Sequence, residues 1–336
     1  MAIQSWRSIL RAFPGFIIVL CALSLNGPIQ AENLAGDTPP PVPPGFASSG
    51  ELMRAFTSGK IQLITPPSGL PEGVTCEKGI KYGSVGDREL LLDLYSPKGL
   101  ARPTPVIIFI HGGGWKGGAR GDMAFYCVRF AEKGYITATI SYRFSQDAKF
   151  PGCVEDAKCA VRFLRANASK YHIDPERIVA SGNSAGGYLS MMMGYTSDVP
   201  EFEGTGGWNE TSSKVRAVIN FYGPTDLTTD YAKSVGVVKD FIGKPYDQAA
   251  ETYKHASPLF HVTKDDPPTL TFQGTIDDIV PVTQADALDA KLKEVGVPST
   301  YEKFEGWPHT MDLAADVNAR CVWFMDKFLA EHAPLP

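Results

Sequence analysis

Apolar runs of strand length recur along the chain with helical patterns between them. In order they read "ELLLDLYSP", "PVIIFIHGG", "YITATISYR", a helix "CVEDAKCAVRFLRANA", then "RIVASGNSAGG" running into "YLSMMMGY", followed by "VRAVINFYG" and "PTLTFQGTIDD". A helix from Thr283 to Val295, the strand "STYEKFEG" and a closing helix from Met311 to Leu329 complete the series. A strand that is apolar at nearly every position must be covered on both faces. That condition is met by a mainly parallel sheet with helices on its two sides. The expected fold class is therefore α/β, and no internal repeat interrupts it. Two segments between the units, Tyr195 to Ser213 and Thr228 to Pro258, are long enough to overhang a site.

With 336 residues, 43% of them hydrophobic and 21% charged, the chain can bury one large α/β core. A formal charge of -5, with no block of Lys or Arg, excludes the electrostatic footprint of a nucleic-acid binder. The first residues read as an export leader: Arg7 and Arg11, an apolar stretch from Phe13 to Leu25, and a cleavage site at Ile29-Gln30-Ala31. The apolar stretch is too short to span a bilayer comfortably, so no stable membrane insertion is expected once the leader is cleaved. Residues 1–31 are read as the leader, 32–75 as a proline-rich extension, and 76–333 as the catalytic domain. Within the extension, "GDTPPPVPPGFASSG" suggests an extended, poorly packed tether, and Glu51 to Phe56 a short amphipathic helix. The five cysteines after the leader, Cys76, Cys127, Cys153, Cys159 and Cys321, show no C-x-x-C spacing of a zinc or redox site. Cys153 and Cys159, six apart at one helix, face different sides and should not pair.

Two of the strands end in glycine. "SGNSAGG" contains Gly182-Asn183-Ser184-Ala185-Gly186, a G-x-S-x-G pattern between an apolar strand and an apolar helix. This is the strand, sharp turn, helix context in which a serine becomes an exposed nucleophile. A serine hydroxyl needs a base within hydrogen-bond reach, and the base needs an orienting carboxylate. In enzymes built this way the order along the chain is Ser, acid, His. Of six histidines, only His309 and His332 follow the acid candidates, and His332 lies at the fraying end of the chain. His309, in the loop "EGWPHTM", is therefore the base. The acid should emerge from the carboxyl end of a strand, where "GTIDDIVP" places both Asp277 and Asp278. Pattern alone does not separate them.

The other glycine run, "IHGGGWKGG", costs conformational entropy at each glycine. It becomes intelligible as a loop whose bare backbone N–H groups face a developing oxyanion. A phosphate loop is the rival reading, but neither G-x-x-x-x-G-K-[ST] nor a helix-opening G-x-G-x-x-G is present. "HGGGW", "GNSAGG", "GTIDDIVP" and "GWPHTM", in that order, resemble the α/β-hydrolase superfamily. More narrowly, the chain resembles the carboxylesterases of the hormone-sensitive-lipase-like and bacterial feruloyl-esterase-like group. The resemblance implies an α/β-hydrolase fold and Asp277 as the acid, the fourth residue of G-x-x-D-x-x-V-P. It further implies an oxyanion hole of Gly113, Gly114 and Ala185. His111 becomes a support for its loop, and Arg143 and Asp226 are structural.

The resulting expectation is a cofactor-free and metal-free serine esterase acting through Ser184, Asp277 and His309 on small-molecule or carbohydrate-linked esters. The acyl group would be short-chain or aromatic, of feruloyl type. Trp115 and Trp307, each beside a catalytic loop, are candidates for the substrate pocket. The proline-rich lead-in resembles a helical cap poorly, which suggests open access to the site. Three alternatives stand beside this reading: an acetyl-polysaccharide esterase, a peptidase of the prolyl-oligopeptidase type, and a non-enzymatic binding protein on a hydrolase fold.

Overall fold

The computed structural model describes Gly36 and residues 38–336; the leader lies outside the described residues. Eight strands form one sheet: β1 (Val74–Val85), β2 (Arg88–Pro97), β3 (Thr104–Ile110), β4 (Ile136–Ile140), β5 (Ile173–Asn183), β6 (Ala217–Phe221), β7 (Thr269–Gly274) and β8 (Ser299–Phe304). Their order is β1-β2-β4-β3-β5-β6-β7-β8. The β1/β2 and β2/β4 pairs are antiparallel, and every pair from β4 to β8 is parallel.

The period-2 geometry of a strand divides the core in two. Along β3, Val106, Ile108 and Ile110 enter one cluster, while Ile107 and Phe109 enter the other. The helices supply both covers. In chain order the main ones are α1 (Ser49–Thr57), α2 (Ala124–Glu132), α3 (Gly152–Ala166), α4 (Ala185–Tyr195), α5 (Val282–Val295) and α6 (Ala315–His332). Buried side chains of α3, α4 and α5 join the first cluster; those of α2 and α6 join the second. All seven β3 residues are buried, as a continuous apolar run requires.

Strand β1 is not legible in the sequence, because its burial pattern is mostly exposed or half-buried and its residues "VTCEKGIKYGSV" offer no apolar run. The closing helix begins later than expected, after a short 3-10 turn at Met311–Leu313. Cys76, Cys127, Cys153, Cys159 and Cys321 are free thiols, so Cys153 and Cys159 do not pair. Among the described residues, no helix is long and apolar enough to cross a membrane.

The lead-in departs most from expectation. Rather than a loose tether, it is docked along the far end of the sheet. The Gly36 carbonyl accepts from Trp323 Nε1 at 3.0 Å and the Pro43 carbonyl from Trp307 Nε1 at 3.3 Å, while Arg320 donates to the Pro40 carbonyl. The expected helix forms as α1, opened by Ser48, whose hydroxyl accepts from the Glu51 N–H. The Glu51 carboxylate reaches back to the Ala47 N–H at 2.8 Å, which satisfies another donor at the helix entrance. Phe46, Leu52 and Ile61 then pack on the second core cluster. Prolines preset an extended backbone, and here that backbone lies against a surface built to receive it.

Candidate active site

The site sits where an open parallel sheet places one, at the carboxyl ends of its strands. Ser184 follows β5 and precedes α4 with φ 53° and ψ −120°. A side-chain-bearing residue in this region carries strain of about 1–3 kcal/mol, which the surroundings must hold in place. Two bonds do so: the Ser184 N–H donates to the Phe221 carbonyl at 2.8 Å, and its own carbonyl accepts from the Tyr188 N–H at 2.9 Å. Gly186 is fixed by space. A Cβ there would lie 2.0 Å from the Ile110 carbonyl oxygen, so helix and strand could not approach as they do.

The loop after β3 packs directly on this turn; a Cβ on Gly112 would sit 3.1 Å from Ser184 Cβ. Gly113 has φ 110°, and a Cβ there would meet the Gly117 carbonyl oxygen at 2.3 Å. Among the described residues, the N–H groups of Gly113 and Gly114 have no acceptor in the protein. Together with Ala185, at the positive end of α4, they line the same cleft as Ser184. His111 lies beneath the loop, fully buried. Its Nδ1 contacts the Gly112 carbonyl at 2.8 Å and its ring stacks on Tyr142. Burial pushes its pKa down to about 4, so it is a neutral support.

On the opposite wall, His309 Nδ1 lies 2.7 Å from Asp277 Oδ2. The Asp277 carboxylate also accepts from Gln273 Nε2 at 2.9 Å and from the backbone N–H groups of Ile279 at 2.9 Å and Val280 at 2.8 Å. Asp278 is exposed, so the two aspartates that pattern could not separate are separated by burial. With Nδ1 engaged, Nε2 is the ring nitrogen left for the cleft that His309 shares with Ser184.

The two tryptophans part company. Trp307 does not line the cleft; it stands edge-on to Phe46 at 5.3 Å and binds the lead-in through its indole N–H. Trp115 borders the cleft, yet its side chain is buried, stacked on Phe241 at 4.3 Å and edge-on to Tyr188. Neither offers a free aromatic face. The apolar walls come instead from Met123, Phe125, Val237, Ile279 and Leu313, around a cleft of about 190 Å³.

Of the two overhanging segments, Thr228–Pro258 reaches the site through Tyr231, Val235, Val237 and Val238. The other, Tyr195–Ser213, packs away from it: Trp208 Nε1 donates to the Tyr82 carbonyl and Glu203 pairs with buried Lys158 at 2.7 Å. Access is also narrower than expected, because Ile64 and Pro66 of the lead-in border the cleft. Arg143 and Asp226 are structural: Arg143 pairs with Asp156, and Asp226 caps its own turn at Thr228.

Sequence reading misses two groups. Gln273, the one polar residue at the end of an apolar strand four places before Asp277, holds that carboxylate. Behind His309, the buried Asp312 carboxyl accepts from Tyr126 at 2.9 Å and from Tyr222, whose ring lies 4.4 Å from the imidazole. Burial raises the Asp312 pKa against those hydrogen bonds. No local pattern marks this cluster, because its members are remote in sequence.

An eight-stranded, mostly parallel sheet with a serine on a strained strand-to-helix turn, a glycine loop beside it and a histidine–carboxylate pair after later strands defines the α/β-hydrolase fold. The profile of the BD-FAE family matches residues 92–292, more than half of the chain, and the chain belongs to that family. It is 31% identical over 242 residues to the esterase LipC of Mycobacterium tuberculosis, covering 70% of this chain and 59% of LipC. The chain thus spans about three-fifths of that relative's length. Among solved structures, a truncated carbohydrate esterase from gut microbiota matches with a TM-score of 0.72 and 28% identity, covering 79% of this chain and 99% of the other. The esterase Est2 of the planctomycete Thermogutta terrifontis, solved with propionate bound, matches with a TM-score of 0.67 and 28% identity, covering 79% of this chain and 97% of the other.

Proposed function

We propose that the chain is a serine carboxylic-ester hydrolase working through an acyl-enzyme. The observation that carries this is the convergence on one cleft of Ser184, the His309–Asp277 pair and the unpartnered N–H groups of Gly113 and Gly114. His309 Nε2 accepts the Ser184 proton as Oγ attacks the ester carbonyl. The negative charge moves to the carbonyl oxygen, facing the N–H groups of Gly113, Gly114 and Ala185, each worth about 10²–10³ in rate in such sites. The imidazolium returns its proton to the departing alcohol. Water then repeats the sequence and frees the acid.

A cleft of about 190 Å³ lies below the roughly 300–1,000 Å³ of sites for drug-sized ligands. Together with the covered faces of Trp115 and Trp307, this favours a short acyl chain over a feruloyl group. Est2 with propionate bound supports that choice. Likeness to a carbohydrate esterase supports a second reading of the alcohol side, release of acetyl groups from polysaccharide. Export through the leader, residues 1–31, belongs to the proposal and is checked by amino-terminal sequencing of protein recovered outside the cytoplasm.

The test is a substrate panel of p-nitrophenyl acetate, butyrate and octanoate, methyl ferulate and acetylated xylan. The expected result is turnover of acetate and butyrate esters with a steep fall at octanoate. Inactivity on every ester would favour the binding-protein reading and end this one.

A further inference from the structure

The loop that carries His309 is held at both ends by one remote segment. Upstream of the histidine, the Phe46 N–H donates to the Gly306 carbonyl at 2.9 Å, Trp307 binds the Pro43 carbonyl, and the Gly45 backbone lies against Glu305. The approach there is close enough that a Cβ on Gly45 would fall 1.8 Å from the Glu305 carbonyl oxygen. Downstream, the Ile64 N–H donates to the Leu313 carbonyl at 2.9 Å and the Ala315 N–H to the Gln62 carbonyl at 2.8 Å, with Leu63 bridged to Ala314. Helix α1 joins the two grips. From the second grip, the chain passes directly into the cleft wall at Ile64 and Pro66.

We propose that residues 38–66 are a positioning strap: they hold the His309 loop in register with Asp277, and through Ile64 they set the chain length of the ester the cleft accepts. This rests on the esterase reading above. The physical reason lies in where the loop starts. Strand β8 is an edge strand with only its last residue buried, so the sheet constrains the His309 loop on one side only. Two backbone grips supply the missing side. A misplacement of a catalytic group by about 1 Å can cost about 10²-fold in rate, so the grips need to remove only small excursions to matter.

The test uses the full chain. In Gly45→Val, whose Cβ would fall 1.8 Å from the Glu305 carbonyl oxygen, the upstream grip is broken without altering a residue that lines the cleft. Hydrogen exchange is read at the Phe46, Ile64, Trp307 and Ala315 amides, alongside kcat and KM for p-nitrophenyl acetate and butyrate and the pH profile of kcat/KM. The expected result is faster exchange at Phe46 and Trp307, a fall in kcat of about 10-fold or more on both esters with a smaller change in KM, and a moved acid limb of the pH profile. Free exchange at Phe46 with wild-type kcat would reduce the strap to packing and overturn the proposal. Should that variant not fold, Ile64→Ala decides: the octanoate-to-acetate ratio of kcat/KM is expected to rise at least about 5-fold, the order of one to two lost methylene contacts. An unchanged ratio overturns the proposal. If the wild-type protein hydrolyses no ester, the esterase reading fails, and the exchange coupling between Phe46 and Trp307 still tests the strap.

Discussion

The two halves of the candidate site are held by different means. Ser184 stands at the centre of the sheet, after a strand flanked by β3 and β6, where backbone meets backbone and space for a single Cβ is missing at Gly186. His309 stands beyond the edge strand β8, where the sheet ends and a segment more than 240 residues upstream completes the support. At the centre, position comes from close packing of elements that must form anyway. At the edge it has to be supplied by side-chain hydrogen bonds and by outlying chain. Substitutions at the Ser184 turn should therefore act locally, and the histidine loop should depend on distant residues.

The largest effects are expected at Ser184 and Asp277. Ser184→Ala is expected to lower kcat on p-nitrophenyl acetate by at least about 10⁴-fold while leaving thermal unfolding unchanged. Appreciable residual turnover would remove this serine from the mechanism. Asp277→Asn should keep the fold and lower kcat by about 10³–10⁴-fold, because an amide can hold His309 in the wrong tautomer. Equal activity at all pH values would show that another group orients the imidazole. Gly186→Ala inserts a Cβ 2.0 Å from the Ile110 carbonyl oxygen and should cost about 3 kcal/mol of stability by overpacking, read as a fall in denaturant midpoint.

Stability against pH should also report on the nucleophile side. Burial lowers the His111 pKa from 6.5 to about 4. Between those values the unfolded chain binds a proton that the folded protein refuses, so this contribution is present above pH 6.5 and is lost as pH falls through about 4. The full span is on the order of 3 kcal/mol. Asp266, whose carboxyl burial pushes up to about 7, and Asp312, also raised, act in the opposite sense and stabilise the fold as pH falls. Comparison with His111→Phe, which keeps a ring against Tyr142 but cannot titrate, isolates the histidine. The variant's Tm should fall less between pH 6.5 and pH 4 than that of the wild type, and parallel curves would refute the assignment.

The same contrast explains what is readable from the sequence. The nucleophile side is legible because its causes are local: an apolar strand, a G-x-S-x-G turn and an apolar helix are contiguous, and the glycines record the close contacts. Strand β1 is not, since an antiparallel edge strand with exposed faces has no reason to be apolar. The lead-in misleads because prolines dictate an extended backbone but not whether anything lies beneath it. Beneath it lie Trp307, Arg320 and Trp323. Trp307, a pocket candidate by its place beside a catalytic loop, therefore belongs to the strap and not to the substrate. The Tyr126, Tyr222 and Asp312 cluster joins three remote parts of the chain, and no spacing rule reaches that far.

The smallest effect is expected at Gln273. Gln273 spends its amide nitrogen on Asp277 Oδ2 and the Val280 carbonyl, both at 2.9 Å. It stands at the end of β7, inside the sheet, so it is the place where the rigid centre reaches across to the histidine side. Gln273→Leu keeps the volume and removes both bonds. Asp277 retains the Ile279 and Val280 N–H groups on Oδ1, so it stays anchored while Oδ2 is left with His309 alone. Losing one hydrogen bond to a charged group costs about 1.5–3 kcal/mol when nothing compensates. Because three partners remain, the lower end applies, and kcat/KM should fall about 10-fold with little change in KM. A loss approaching that of Asp277→Asn would mean that the carboxylate is held by the sheet through Gln273 rather than by its own turn. The histidine side would then owe its geometry to the centre of the sheet more than to the strap.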